Sequence, residues 1–193
     1  MPREICTNCQ RPKTACICAL FCDIANDIDV LVLQHSSEVK QSKGSVTLLS
    51  HSLSNCIVLS GDSFENNQAL KQWLQSHPSA ALLYPGENAQ TADGNLVIDG
   101  LVVLDGTWKK AYKIYQSTPV LKALKQVSLP AGIESKYAIR RTSKENALST
   151  LEATSHALGL LENQTKKYQP LLDNFDKFNQ MHLTHVPAAH HKK

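Results

Sequence analysis

Four short, unbroken apolar runs set the frame for this chain: Val30–Leu33, Cys56–Leu59, Ala80–Tyr84 and Leu101–Leu104. They are rich in Val, Ile and Leu and do not alternate with polar residues, which is the pattern of strands buried on both faces. Between them, Val46–Leu53 and Glu65–Gln75 read as helices, and the second places Ala69, Leu70, Trp73 and Leu74 on one side. The resulting β-α-β-α order predicts an α/β fold, a mostly parallel sheet with helices on both faces.

Further along, Asp93-Gly94-Asn95 marks a turn ahead of Leu96–Leu104, and Thr107–Tyr115 reads as a helix that starts directly after a strand. The clearest helix runs from Ser149 to about Asn163. Ser149-Thr150-Leu151-Glu152 has the spacing of a capping box, and Leu151, Ala157, Leu158 and Leu161 form an apolar face at helical spacing. After Pro170 the chain is aromatic and amphipathic as far as Met181, and His182–Lys193 reads as a polar, flexible tail.

At 193 residues the chain suits one medium domain with a small appendage. We divide it into a cysteine-rich unit over 1–22, an α/β catalytic domain over 23–181 and the tail over 182–193. The 42% hydrophobic and 19% charged content excludes a disordered or fibrous chain. No stretch approaches the ~18 apolar residues of a membrane span. Met1 to Glu4 is polar and leads into cysteines rather than an apolar signal region. The expected compartment is the cytoplasm, with no membrane partner and no obligate protein partner evident.

Reduced thiols are the rule in the cytosol, so the six cysteines read as metal ligands or core residues rather than disulfides. Cys6, Cys9, Cys16 and Cys18 place four thiols within thirteen residues. A unit of this size has no core of its own and needs a metal to fold. A structural zinc with four thiolate ligands is the leading reading; a redox Cys6/Cys9 pair and an iron–sulfur cluster are the alternatives. Cys22 is a spare that could replace one ligand, and Cys56 lies in an apolar run as core. Zinc bound by four thiolates would lower the formal charge from +3 to +1, so nucleic-acid binding would rest on local basic patches. Arg11 and Lys13, with Arg3, surround the cysteines and would suit a phosphate backbone; a solvated basic surface is the other reading.

Leu101–Leu104 runs straight into Asp105-Gly106-Thr107-Trp108, and a helix follows. In open α/β sheets ligands bind at the carboxyl ends of strands. Asp105 stands at such an end, and Gly106 permits a sharp turn. Thr107 and the first helical N–H groups could hold an anionic group, and Trp108 offers a flat surface for a base. The plainer reading makes Asp105 an N-cap and Trp108 core. Tyr84-Pro85-Gly86 ends a neighbouring predicted strand and would form the second wall of a cleft. Lys109, Lys110 and Lys113, together with the segment 135–141 that carries Arg140 and Arg141, add a basic surface with aromatic residues of the kind RNA enzymes use.

These motifs resemble the DTW-domain family. The resemblance is carried by the Cys6, Cys9, Cys16, Cys18 knuckle with Arg11-Pro12, by Leu33-Gln34-His35 followed by Glu38, and by Thr47-Leu48-Leu49. It continues through Leu83-Tyr84-Pro85-Gly86-Glu87, the block Leu104 to Ala111, Tyr137-Ala138-Ile139-Arg140, and Leu148 to Ala153, in family order over about residues 5–165. Two places depart from the pattern: His35-Ser36 replaces the frequent His-Pro, and Lys43 to Thr47 differs from the usual helix start. His35 reads as a turn histidine rather than a catalyst.

The resemblance implies a tRNA-uridine aminocarboxypropyltransferase. Such an enzyme moves the 3-amino-3-carboxypropyl group of S-adenosylmethionine to N3 of a tRNA uridine and releases methylthioadenosine. It also implies a SPOUT-like sheet with a C-terminal knot around the cofactor site. On that basis Asp105, Thr107 and Trp108 are the catalytic candidates, and Tyr84, Pro85, Gly86, Leu104, Ser149 and Thr150 the cofactor-binding ones. The N-terminus of the helix after Ser149 would suit the methionine carboxylate. The rival readings are a SPOUT-like RNA methyltransferase, a non-catalytic zinc-knuckle RNA-binding protein and a thiol oxidoreductase.

Overall fold

The computed structural model describes residues 4–41, 43–133, 135 and 148–184. Six strands form one parallel sheet: β1 (Asp29–Gln34), β2 (Cys56–Ser60), β3 (Ala81–Leu83), β4 (Gln90–Thr91), β5 (Gly100–Asp105) and β6 (Lys125–Ser128). Their order across the sheet is β2-β1-β5-β3-β6-β4. The helices are α1 (Val46–Ser50), α2 (Gln68–Ser76), α3 (Trp108–Ser117), α4 (Thr150–Leu161) and α5 (Gln169–Thr184), joined by short 3-10 turns.

All four apolar runs are strands, and the side-chain period of two explains why they lack polar residues. Along β1, Val30 and Val32 enter one core with Leu48 and Leu49 of α1, Leu151 and Leu158 of α4, and Phe175 and Phe178 of α5. Leu31 and Leu33 enter a second core with Leu70 and Trp73 of α2 and Ile114 of α3. The sheet is thus covered on both faces, and its central strands have no side chain to spare for water.

Helix ends follow local chemistry. α2 starts at Gln68 rather than Glu65 because the Asn67 side chain accepts from Leu70 N at 2.9 Å and caps it there. α1 stops at Ser50, short of the expected Leu53, because Leu53 is drawn into a parallel bridge with Ile24. α4 carries the expected capping box: Glu152 N donates to Ser149 Oγ at 3.2 Å and Ser149 N donates to Glu152 Oε2 at 2.8 Å. Asn95 N donates to Asp93 Oδ1 at 2.9 Å in the expected turn.

β4 and β6 escaped the sequence pattern. β4 has two exposed polar residues at the sheet edge, and in β6 only Val127 is buried. The polar tail also begins later than expected, since α5 continues through His182 to Thr184; residues 185–193 lie outside the described residues. The implied knot depends on the path between β6 and α4, which includes 136–147, again outside the described residues. Among the described residues no helix is long and apolar enough to cross a membrane.

Candidate active site and metal centre

Because every strand runs the same way, the ends of β1, β5, β3 and β6 lie side by side. In the β1–β5 register Gln34 stands opposite Asp105, with side chains on the same face of the sheet. Gln34 Nε2 donates to Asp105 Oδ2 at 2.9 Å. From the opposite side Thr150 Oγ1, the first residue of α4, donates to Asp105 Oδ1 at 2.6 Å. Both oxygens of a 9%-exposed carboxylate are therefore held by neutral donors. These two bonds fix the plane of the carboxylate.

Asp105 is not the N-cap of α3. Thr107 is: its side chain accepts from Lys110 N at 3.4 Å. Gly106 makes the turn, with φ +157°, and a Cβ there would lie 2.9 Å from Lys110 Cβ. Trp108 is no core residue, with 49% of its surface exposed beside the strand ends.

The strand that leads into Tyr84 lies beside β5. β3 pairs with β5, Leu83 opposite Val103, so Tyr84-Pro85-Gly86 and Leu104-Asp105 emerge next to each other. The Tyr84 ring stacks on Tyr115 of α3 with centroids 4.7 Å apart and planes 14° apart. Burial, then the neighbouring Tyr115 and Tyr112, raise the Tyr84 hydroxyl above its ordinary range, so it stays protonated. Gly86 lies so close to β6 that a Cβ would fall 1.9 Å from Gln126 Oε1, and Gln126 Nε2 donates to Tyr115 Oη at 2.9 Å.

The α4 N-terminus was expected to suit a ligand carboxylate, and two of the protein's own carboxylates stand beside it. Glu152 is buried, takes Ser149 N, and accepts from Ser135 Oγ at 3.0 Å, while Asp105 takes the Thr150 hydroxyl. Ser149 and Thr150 border the site through these contacts.

The basic residues divide. Lys109 is exposed, and Lys113 is exposed and pairs with Asp62 at 3.1 Å. Lys13 is exposed and pairs with Glu4 at 3.0 Å. Lys110 differs from expectation: its Nζ lies 2.7 Å from Glu38, whose side chain is 6% exposed, so it neutralises a buried carboxylate. Arg11 was expected to suit a phosphate backbone. It is 9% exposed, its guanidinium lies 5.0 Å over the Phe178 ring and donates to Gly44 O at 3.1 Å. Packed in this way it faces α5. Arg140 and Arg141 lie outside the described residues.

His35 fills the turn role. Its ring accepts from Ser37 N at 3.3 Å, and its Nε2 lies 3.6 Å from Asp62. Asp62 also accepts from Ser36 Oγ. That hydrogen bond, with Lys113 next in weight, holds the Asp62 carboxyl down to about 2.

Gln34, Glu38 and Tyr112 are the residues to which sequence reasoning gave no role. Gln34 closes an apolar run and Glu38 belongs to the same family motif, but their partners Asp105 and Lys110 are distant in sequence.

Away from this site, the ligand atoms of Cys6, Cys9, Cys16 and Cys18 all lie within 4.8 Å of one another. The Sγ separations Cys6–Cys18 and Cys16–Cys6 are 3.6 Å, and Cys9–Cys16 is 3.8 Å. A zinc ion ~2.3 Å from each of four tetrahedral sulfurs sets those edges near ~3.8 Å, so the donor set fits zinc. Backbone N–H groups of Cys9 and Asn8 lead in holding the Cys6 thiol down to about 6, while burial and the neighbouring thiols push Cys18 up to about 12, so the fit to zinc rests on the sulfur geometry. Cys22 stands apart, accepting from Asn174 Nδ2 at 3.2 Å. Burial pushes Cys56 up to about 12, as suits a core thiol. Cys9 and Ile17 enter the α4–α5 core, so the knuckle is packed onto the domain.

The DTW domain matches residues 3–183. A Drosophila melanogaster protein named tRNA-uridine aminocarboxypropyltransferase 2 is 32% identical over 200 residues, 99% of this chain and 80% of its own length. Proteins of the same name from Macaca fascicularis and Mus musculus are 28% and 27% identical over 194 residues, 95% of this chain and 65% of their own length. No solved structure matches. Taken with the Asp105-Gly106-Thr107-Trp108 turn in place at the end of a central parallel strand, the match over nearly the whole length means that the chain belongs to the DTW-domain family.

Proposed function

We propose that this chain transfers the 3-amino-3-carboxypropyl group of S-adenosylmethionine to N3 of a uridine in tRNA. The observation that carries the reading is the clamped Asp105 carboxylate, set beside Gly106-Thr107-Trp108 in a DTW domain. The relatives' shared name supports the reaction class, and a tRNA-modifying role supports a cytoplasmic location.

Uridine N3 is a weak acid and a poor nucleophile while protonated. S-adenosylmethionine supplies a sulfonium leaving group on the carbon to be transferred. In the reaction an N–C bond forms at N3, the C–S bond breaks, its electron pair goes to sulfur, and the N3 proton must leave. Asp105 accepts or orients the N3–H, with Gln34 and Thr150 fixing its carboxylate so that the nucleophile meets the carbon in line. Trp108 walls the base, and Thr107 offers its hydroxyl while capping α3. Tyr84, Pro85, Gly86 and Leu104 line the cofactor side, and Ser149 and Thr150 bound it through their contacts to Glu152 and Asp105. Lys109 and Lys113 face the RNA, with Lys13, Arg140 and Arg141 as further contacts. Cys6, Cys9, Cys16 and Cys18 hold a structural zinc, which has no open ligand position and takes no part in the transfer.

The test uses unmodified tRNA and S-adenosylmethionine labelled separately in the methionine carboxyl carbon and in the methyl group. Label entering RNA from the carboxyl carbon alone is expected. Label from the methyl group alone would make the chain a methyltransferase. Entry of neither label, with no cofactor binding, would return it to a non-catalytic RNA-binding role.

A further inference from the structure

α3 carries two kinds of side chain in two adjacent rows on its outer face. Trp108 and Tyr112 form one row, and Lys109 and Lys113, one residue further on, form the next. Residues four apart lie on the same helix face. Trp108 is 49% and Tyr112 54% exposed, among the few large apolar side chains left in water. Ala111 and Ile114 are the buried residues on the inner face of the helix.

We propose that this outer face of α3 is a platform for an unpaired stretch of RNA, with bases stacked on Trp108 and Tyr112 and phosphates followed by Lys109 and Lys113. The proposal rests on the RNA-modifying reading above and specifies the form of RNA that reaches the site. Four residues of helix advance ~6 Å, nearly twice the ~3.4 Å rise per base along one strand of a duplex. At that backbone spacing, bases carried by the two residues stand further apart than neighbours in a duplex. A paired stem covers the faces of its bases with their neighbours and would offer only phosphates and sugar edges. An aromatic row beside a cationic row is the arrangement that holds single strands without reading their sequence. The Lys113–Asp62 pair is half exposed on both sides and yields easily to a phosphate.

The platform also leads somewhere. Trp108 is the third residue after Asp105, so a uridine at Asp105 has its neighbour within reach of the first ring. On the next turn of α3 Tyr115 stacks on Tyr84 of the neighbouring strand end, so RNA that follows α3 arrives at the strand ends.

The test is binding of a short, labelled, single-stranded RNA containing uridine, compared with a fully paired duplex of the same length, by fluorescence anisotropy. The single strand is expected to bind more tightly. Tyr112→Ala is expected to weaken it roughly 5- to 150-fold, and Tyr112→Phe to retain it. Lys109→Ala with Lys113→Ala should flatten the slope of log affinity against log salt by about 1.4, at ~0.7 per phosphate contact. Because Trp73 is buried, tryptophan emission should fall on RNA binding, and Trp108→Phe should abolish that change. Circular dichroism checks that each variant is folded. Duplex bound as well as single strand, or a folded Tyr112→Ala with wild-type affinity, would overturn the platform while leaving the enzyme an RNA binder. A wild-type chain that binds neither RNA would overturn the RNA-modifying reading itself.

Discussion

The Thr150 hydroxyl lies 2.6 Å from Asp105 Oδ1, and it reaches that oxygen from 45 positions further along the chain. With Gln34 on the other oxygen, the carboxylate has a fixed plane. Asp105→Asn is isosteric, and the Thr150 hydroxyl can reverse its role or the amide can turn to keep one bond. The variant should melt close to wild type, while kcat falls by about 10²–10⁴, the contribution of a positioned base. Thermal unfolding and single-turnover transfer of the labelled carboxyl carbon check the two halves, and wild-type turnover would remove Asp105 from the mechanism.

Gln34 acts through Asp105 and so predicts a different signature. Gln34→Leu keeps approximate volume but withdraws a donor from a buried oxygen, which costs about 1–3 kcal/mol. kcat should fall while KM for tRNA stays near wild type, since no RNA contact is lost. Urea denaturation and steady-state kinetics read the two quantities, and Gln34→Glu, which sets a second carboxylate against the first, should fare worse than Leu.

Zinc should be present at one ion per chain. Cys9→Ser removes a ligand and also disturbs a buried side chain next to Ile17. Metal analysis should show the ion lost, and stability should fall by several kcal/mol, because binding energy at such sites is folding energy. Transfer activity should survive in whatever fraction remains folded, as the knuckle offers no open coordination position.

Arg11 serves packing. Arg11→Ala removes the stack on Phe178 and the bond to Gly44, and should cost about 2 kcal/mol or more. RNA affinity of the folded variant should match wild type. A variant that is stable but fails to bind RNA would reverse this assignment.

Asp62 predicts a pH effect. Its folded carboxyl titrates near 2, below the ordinary ~3.9. A depressed folded value means the group stabilises the fold above the unfolded value. That stabilisation is lost as pH falls from ~4 through about 2. Ser36→Ala removes the leading cause, so carbon NMR should show Asp62 titrating nearer the ordinary range, and the acid-side loss of stability should shrink.

The sheet was legible because burial on both faces leaves unbroken apolar runs, as in Val30–Leu33 and Leu101–Leu104. The α4 cap was legible because Ser149 and Glu152 are three residues apart. What escaped lacked a local signature. β6 has one buried side chain, so its place between β3 and β4 is set by neighbours rather than by pattern. Arg11 and Lys110 look like surface cations in sequence; only the fold reveals Phe178 under one and Glu38 beside the other. Asp105 could be placed at a strand end from sequence. Its two donors could not, because one needs the β1–β5 register and the other needs α4 to fold back over the sheet.

The sheet order has a consequence for the growing chain. β5 inserts between β1 and β3, so Gln34 waits 71 residues for Asp105, and the carboxylate then waits for α4. A nascent chain that has finished five of its six strands still has a loosely held acid at position 105. Loop closures of that span are slow to form. The clamp on Asp105 is therefore complete only in a chain that extends through Thr150, so a fragment ending after β6 lacks one of the two bonds that fix the carboxylate.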